Sequence, residues 1–528
     1  TRRSSDLISP KMNIELGPPH ENSKRIAKNA LLLYVRMLFG MLVSLYTSRV
    51  VLAVLGVEDY GIYNVVGGFV AMFSLISNSL SASTGRFLTF ELGKGDMHRL
   101  KQVFATSLTI HALLSFAILI LAETIGIWFL NEKMTIPAER LYAANWVFQA
   151  SVFAFMMGLF SVPYNASIVS HEKMSVFAYL GILDIALRLF IVLFIAYSPW
   201  LFDKLIVYGL LLVGVSLIIQ LSNMLYCSRH FQECKLQFTF HSDYWKEMSS
   251  FAGWNFIGCT AGLLKDQGVN LLLNLFMGPI VNAARGIALS VNTAVGGFVG
   301  SFMVALNPQI TKSYAVGDYS YMMSLVERGS RFSFYILFML TLPILFETEL
   351  ILTLWLNDFP PHTVNFVRLM LLLSLSDILS NTLITLQSAT GKIRNYQIAV
   401  GGVLMLNFPV SYLCLKMDCL PESVFVVALF VSVLCLMLRL LFLRRMVQLS
   451  VKQYLYNVCL NVLSVSLIAA FIPALAYFQM EEGWERFLST IFFCIVCSSL
   501  SIYFVGCSFS ERKFITDRVR MMKKRIIG

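Results

Sequence analysis

The chain has 528 residues, 57% of them apolar and only 13% charged, with a mean hydropathy of +0.72. Soluble globular proteins carry about 45–50% apolar and about 25% charged residues, so these values exclude a cytosolic enzyme, a disordered chain and a secreted disulfide scaffold. The formal charge is +11, from 41 Lys and Arg against 30 Asp and Glu. Those charges are too sparse and too interrupted by apolar runs to track a phosphate backbone, which argues against nucleic acid as a partner.

Backbone amides cannot sit unsatisfied in lipid, so apolar runs of about 20 residues read as membrane-spanning helices. Fourteen are expected, near 28–55, 60–90, 102–130, 138–168, 174–197, 205–227, 249–276, 280–311, 330–353, 362–390, 396–416, 421–442, 453–478 and 485–507. The first follows a polar leader, lacks a small-residue cleavage site and is too long for a signal-peptide core, so it reads as a retained span. Met12 is a candidate natural start, with Thr1–Lys11 then an upstream extension. The ten cysteines are scattered through apolar stretches without zinc spacing, and Cys494 and Cys497 read as small hydrophobes. The predicted fold class is all-α and polytopic.

Sorting Lys and Arg by alternate connections gives 29 on the side of both termini and 5 on the other. By the positive-inside rule both termini are expected in the cytoplasm of a bacterial inner membrane. The cytoplasmic side then carries +16, the outer connections −8 and the spans +3. The one sizeable inner linker, 228–247, divides an N-lobe (28–227) from a C-lobe (248–447). A leader (1–27), a final helix pair (448–507) and a basic tail (508–528) complete the expected division. A shift of 222 residues lays Gly56 on Gly278, Ser79 on Ser301, Thr89 on Thr311 and Gly95-Asp96 on Gly317-Asp318. Such a repeat predicts two pseudo-symmetric six-helix lobes in one orientation, flanking a mid-membrane cavity.

Charges inside spans are costly, about 2.5–3.5 kcal/mol each on insertion scales, and so mark candidate functional positions. Seven bases fall there (Arg36, Arg49, Arg86, Arg188, Lys265, Arg285 and Arg368) with four acids (Glu123, Asp184, Asp266 and Asp377). Arg86 and Arg368 lie near span ends and are expected to snorkel. Asp184 and Arg188, four residues apart, are expected to pair on one helix. Arg36, Arg49, Lys265 and Arg285 sit in segments that the repeat makes equivalent. They are read either as a cationic cavity for an anion with several oxygens, such as pyrophosphate, or as structural cations paired with carbonyls and carboxylates. Glu123, Asp184, Asp266 and Asp377 are candidate ion-coupling groups. Asn78, in the polar run Ser74–Thr84, and Asn292 are candidate cavity-lining residues, and Gly296-Gly297 and Pro308 are expected to give either close packing or a helix break within Asn292–Pro308. There is no P-loop and no catalytic constellation, so neither an enzyme nor a cofactor or metal is expected.

Three stretches carry a resemblance. Ser48–Tyr63 (SRVVLAVLGVEDYGIY), Ser83–Asp96 (STGRFLTFELGKGD) and Asn307–Asp318 (NPQITKSYAVGD) resemble segments of the O-antigen and polysaccharide flippases of the multidrug/oligosaccharidyl-lipid/polysaccharide exporter superfamily. The likeness covers about residues 24–507. It implies two six-helix lobes with two extra C-terminal helices, and flipping of undecaprenyl-pyrophosphate-linked oligosaccharide by alternating access. It also implies pyrophosphate binding by cations at places comparable to Arg36 or Arg49 and Lys265 or Arg285. The relatives' early Arg-Asp pair is missing here, because Arg36 lies between Val35 and Met37. The implied partners are lipid-linked oligosaccharide, membrane lipid, and a glycan polymerase and glycosyltransferases of the same pathway. The alternative readings are a drug or cation exporter of the same superfamily and, more distantly, a membrane-embedded glycan polymerase or acyltransferase.

Overall fold

The computed structural model describes residues 19–71, 73–132, 136–197, 203–235, 237, 241–356, 358–513 and 516–517. The leader through residue 18 and the tail from residue 518 lie outside the described residues, as does the side chain of Arg49. Among the described residues every regular element is helical. Twelve helices among the described residues are long and apolar enough to cross a membrane, and the chain is a polytopic membrane protein.

Two expected spans, 60–90 and 249–276, are helical but fall short of that apolarity. Their sequences explain it. The first contains the serine-rich run around Asn78 and then Arg86, and the second carries Asn255, Lys265, Asp266 and Asn270. The second lies within the long helix Ser242–Val316, whereas the first runs from the end of the long helix Pro19–Ala71 into the separate helix Ser74–Lys94. Each of the two long helices has a single sharp break. Helix Pro19–Ala71 breaks at Gly56 (φ 81°, ψ 168°) and helix Ser242–Val316 at Gly278 (φ 80°, ψ −177°). That backbone region is essentially closed to residues with a Cβ. The two breaks are 222 residues apart, as are Gly95 and Gly317, which end helices in the left-handed conformation. The repeat is therefore visible in backbone geometry. Of the two readings of the Asn292–Pro308 stretch, a helix break is not the one observed: the break falls at Gly278, where Pro279 follows a residue able to leave the helical region.

The chain divides into two compact units, Thr1–Cys259 with Val304–Tyr319, and Thr260–Met303 with Ser320–Gly528. This differs from a cut at the 228–247 linker, because both ends of the Ser242–Val316 helix pack within the first unit. Ser83 donates to the Met248 carbonyl at 3.0 Å, and Phe87 meets Phe251 edge-on at 6.1 Å between centroids. Gly93 lies so close to the Lys312 backbone and Ala315 that a Cβ would sit 3.0–3.1 Å from them. At the centre of this contact is Glu172, buried in the turn between helices Leu141–Ser170 and Met174–Tyr197 with φ at 58°. It accepts from Lys312 Nζ at 2.7 Å, from Arg25 at 2.8 Å and from the Gln309 amide.

The opposite end of the first unit has its own clamp. Arg140 pairs with Asp59, just beyond the Gly56 break, and with Asp203 at 2.5 Å. Asp203 in turn caps the Lys204–His230 helix by accepting from the Leu205 and Ile206 amides. In the second unit, helices Asn461–Gln479 and Trp484–Ser501 pack on each other, and Thr363–Ile378 packs on Ser423–Val447.

Two stability measurements follow. Gly278→Ala forces a Cβ into a glycine-only conformation and is expected to cost about 1–3 kcal/mol in detergent unfolding. Gly262→Ala, inside a helix with nothing within 4 Å of its Cβ position, is expected to be neutral or slightly stabilising. Lys312→Met leaves Glu172 buried beside fewer donors and is expected to cost about 3 kcal/mol. The Lys312→Met/Glu172→Gln double variant should recover part of that loss.

Candidate functional site

The first unit encloses a cavity of about 320 Å³ among helices Pro19–Ala71, Leu141–Ser170, Met174–Tyr197 and Lys204–His230. Its wall is polar for a position inside spans. Ser161, Asn165, Gln220 and Asn223 line it together with Arg36, Asp184 and Arg188. Asn165 and Asn223 both donate to Ser161 Oγ, at 3.2 and 2.9 Å. The buried Oδ1 of Asn223 and Oε1 of Gln220 accept no bond from protein. Such atoms are expensive in lipid unless water or a ligand reaches them.

Arg36 is held by shape as well as charge. Its guanidinium carbon lies 4.5 Å from the centroid of the Phe177 ring. A Cβ on Gly181 would stand 2.3 Å from Arg36 Nε. Only glycine at position 181 lets the guanidinium cross the Met174–Tyr197 helix at that level. One turn on, Arg188 Nε donates to both Asp184 oxygens at 3.1 Å, the local pair expected from their spacing. Two cations and one carboxylate leave this cavity with a formal charge of +1.

The second unit holds Lys265 and Arg285, each with a partner of its own. Lys265 Nζ lies 3.4 Å from Asp377 Oδ2, and Ser432 donates to Oδ1 of the same carboxylate. Arg285 donates to the Asp266 carbonyl at 2.8 Å and to Asn270 Oδ1 at 3.2 Å. Asn292 accepts from Ser374 at 2.6 Å. Lys265 thus meets Asp377 rather than its neighbour Asp266, whose side chain is exposed. Glu123 is exposed in the π-turn Ala122–Gly126, and Asn78 is exposed on helix Ser74–Lys94.

Arg86 and Arg368, both expected to snorkel, each meet protein groups. Arg86 sits among aromatic faces, 4.4 Å from the Phe87 centroid and 4.6 Å from that of Phe90. Arg368 caps the end of helix Tyr319–Phe346, donating to the Leu345 carbonyl and Thr348 Oγ1 at 3.1 Å. Sequence reasoning also missed Asn165, Gln220 and Asn223, although amides inside apolar runs were a usable signal. It assigned Arg439 to a cytoplasmic connection. The structure buries that guanidinium against Tyr396 Oη and Ser380 Oγ, both at 3.0 Å.

No protein-family model matches the chain, and no curated protein matches it in sequence. Solved structures do match in fold. A MATE mutant aligns with a TM-score of 0.70 at 11% identity, over 82% of this chain and 98% of its own. A MOP superfamily transporter from Pyrococcus furiosus, described as having a binding pocket of reverse polarity that suggests a different function, aligns at 0.68 and 12% identity. That match covers 81% of this chain and 96% of the other. A multidrug resistance MATE family transporter of the MOP superfamily, in its outward-facing conformation, aligns at 0.68 and 13% identity over the same shares. The chain therefore has the MATE-like fold.

The contact between Arg36 and Gly181 is measurable without knowing any cargo. Gly181→Ala is expected to push the end of the Arg36 side chain aside and to destabilise by about 1 kcal/mol. Combined with Arg36→Ala, most of that cost should vanish, giving a coupling energy above about 0.5 kcal/mol in a double-mutant cycle.

Proposed function

We propose that this chain is an exporter of the MOP superfamily, resident in a bacterial inner membrane with both termini cytoplasmic, that moves its cargo by alternating access. The observation that carries the reading is the match in fold over nearly the whole length of transporters rather than enzymes. Alternating access needs helices that can bend at fixed points, and Gly56 and Gly278 supply one in each half of the repeat. It also needs contacts that can open and reform, a role suited to the Glu172 cluster with Lys312 and Arg25.

Two cargo readings rest on different observations. A drug or organic cation exporter has the better support from likeness, since one neighbour is a multidrug resistance transporter. Asp184 would then attract the cation, with ion coupling through Asp184, Asp377, Asp266 or Glu123. A lipid-linked oligosaccharide flippase has the support of charge. The cavity sets Arg36 and Arg188 against the single carboxylate of Asp184, and forked guanidinium donors suit pyrophosphate. On this reading Arg36, with Arg49, Lys265 and Arg285 along the path, receives the pyrophosphate. The undecaprenyl chain stays in lipid, and Asn78 and Asn292 contact sugar hydroxyls. Polymerase and glycosyltransferases of the same glycan would be its functional partners.

Proteoliposomes separate the two. Flipping of an undecaprenyl-pyrophosphate oligosaccharide, reduced about tenfold or more by Arg36→Gln (about 1.4 kcal/mol), together with ethidium movement no faster than in empty vesicles, supports the flippase. Ethidium transport that is abolished by Asp184→Asn and indifferent to Arg36→Gln, with no glycolipid flipping, establishes the drug exporter instead.

A further inference from the structure

A second and larger cavity, about 670 Å³, lies in the second unit, where three membrane helices end together. It is framed by the first turns of helix Tyr319–Phe346, the start of the Val451–Gln479 span and the close of the Trp484–Gly506 span. Its wall is charged at the level where spans stop. Arg331 donates to the Gly506 carbonyl and to Glu511 Oε1, both at 2.9 Å. Arg328 Nε reaches the same Glu511 oxygen at 3.2 Å while its side chain stays 41% exposed. Glu327, adjacent in sequence, accepts from Asn457 Nδ2 at 3.0 Å. A cation and an anion are thus fixed side by side, with the Ser320 and Ser324 hydroxyls on the same wall.

The backbone marks the same place independently. Two of the chain's three π-helical turns among the described residues, Leu455–Leu460 and Ile502–Gly506, both contribute to this cavity, through Tyr456, Asn457 and Val505. π-Turns weaken helical hydrogen bonding and persist mostly where a site repays the cost. Here the second one turns the Gly506 carbonyl toward Arg331. Tyr456, Phe504 and Phe509, beside the cavity in sequence, are exposed, as suits aromatic side chains at the boundary between hydrocarbon and water. The volume lies within the roughly 300–1,000 Å³ of small-molecule sites.

We propose that this cavity binds the headgroup of an aminophospholipid, with its phosphodiester taken by Arg328 and the serine hydroxyls and its ammonium by Glu327. A guanidinium presents a planar fork to phosphate oxygens, and a carboxylate oriented by an amide is a natural acceptor for an ammonium. The exposed aromatic side chains leave the acyl chains in the bilayer. The site is separate from the Arg36 cavity and stands whichever cargo the protein carries.

The test uses the full-length protein in nanodiscs of phosphatidylglycerol with and without phosphatidylethanolamine, with retained lipid counted by native mass spectrometry. Wild type is expected to retain phosphatidylethanolamine about tenfold better than phosphatidylglycerol (about 1.4 kcal/mol). Glu327→Gln should erase the preference while leaving phosphatidylglycerol retention intact, and Arg328→Gln should lower retention of both. If Arg328→Gln folds poorly, Ser320→Trp, at an exposed position on the cavity wall, blocks the site without touching a charge and should also abolish retention. Equal retention of the two lipids by wild type, or retention unchanged in Glu327→Gln and Ser320→Trp, overturns the proposal. Full displacement of lipid by an equal concentration of free phosphoethanolamine overturns a membrane source and makes the ligand a soluble phosphomonoester.

Discussion

In hydrocarbon each backbone N–H must find a carbonyl within its own helix, because no water is present to replace a missing partner. Most of this structure obeys that constraint, and its exceptions locate what the protein does. The described chain leaves regular α-helix inside apolar surroundings at few places, and each is chemically provided for. Gly56 and Gly278 bend their helices where a side chain would clash with its own backbone. Arg368 supplies donors to the carbonyls that end the Tyr319–Phe346 helix. The Gly506 carbonyl, at the end of a π-turn, accepts from Arg331. The polar residues of the spans serve the backbone as well as any ligand.

The same constraint groups the cations by what they meet. Lys265 beside Asp377, Arg285 on the Asp266 carbonyl and Arg439 on Tyr396 and Ser380 each meet protein oxygens at hydrogen-bonding distance. Burying such a pair rarely adds much stability, but removing one member is costly. Arg36 is different in kind. Its guanidinium lies over the Phe177 ring, and the missing side chain at Gly181 makes room for it. A guanidinium stacked on a ring keeps its forked edge available for an anion in a way that a carbonyl-bound one does not.

The sequence was informative where one dimension suffices. Apolar run lengths anticipated the twelve candidate spans but also counted 60–90 and 249–276, which fall short of that apolarity, and the 222-residue shift picked out Gly56 with Gly278 and Gly95 with Gly317 as equivalent before their shared backbone conformations were visible. The i, i+4 spacing of Asp184 and Arg188 was enough to pair them. Partners distant in sequence were not legible. Lys265 and Asp377 are 112 residues apart, and Glu172 and Lys312 are 140 apart. Arg86 illustrates the difficulty: position near a span end suggested snorkelling, whereas Phe87, Phe90 and Phe251 supply a desolvated aromatic surround that no linear pattern announces.

Glu172 shows how groups far apart in sequence decide which segments pack together. A carboxylate buried at a turn has to be neutralised, and the donors that reach it come from the start of the first long helix and the far end of the second. That draws Val304–Tyr319 into the unit built by the first half of the repeat. That segment lies in the second half of the repeat in sequence and packs with the first. The contact there is an ion-pair cluster rather than an apolar seam. Charged groups rehydrate when separated, so such a cluster can open with less net loss than the bare attraction suggests, because water replaces what the partner supplied. Electrostatic closure of this kind can be both tight and reversible, which hydrophobic closure of equal area, opening apolar surface to water, would not be.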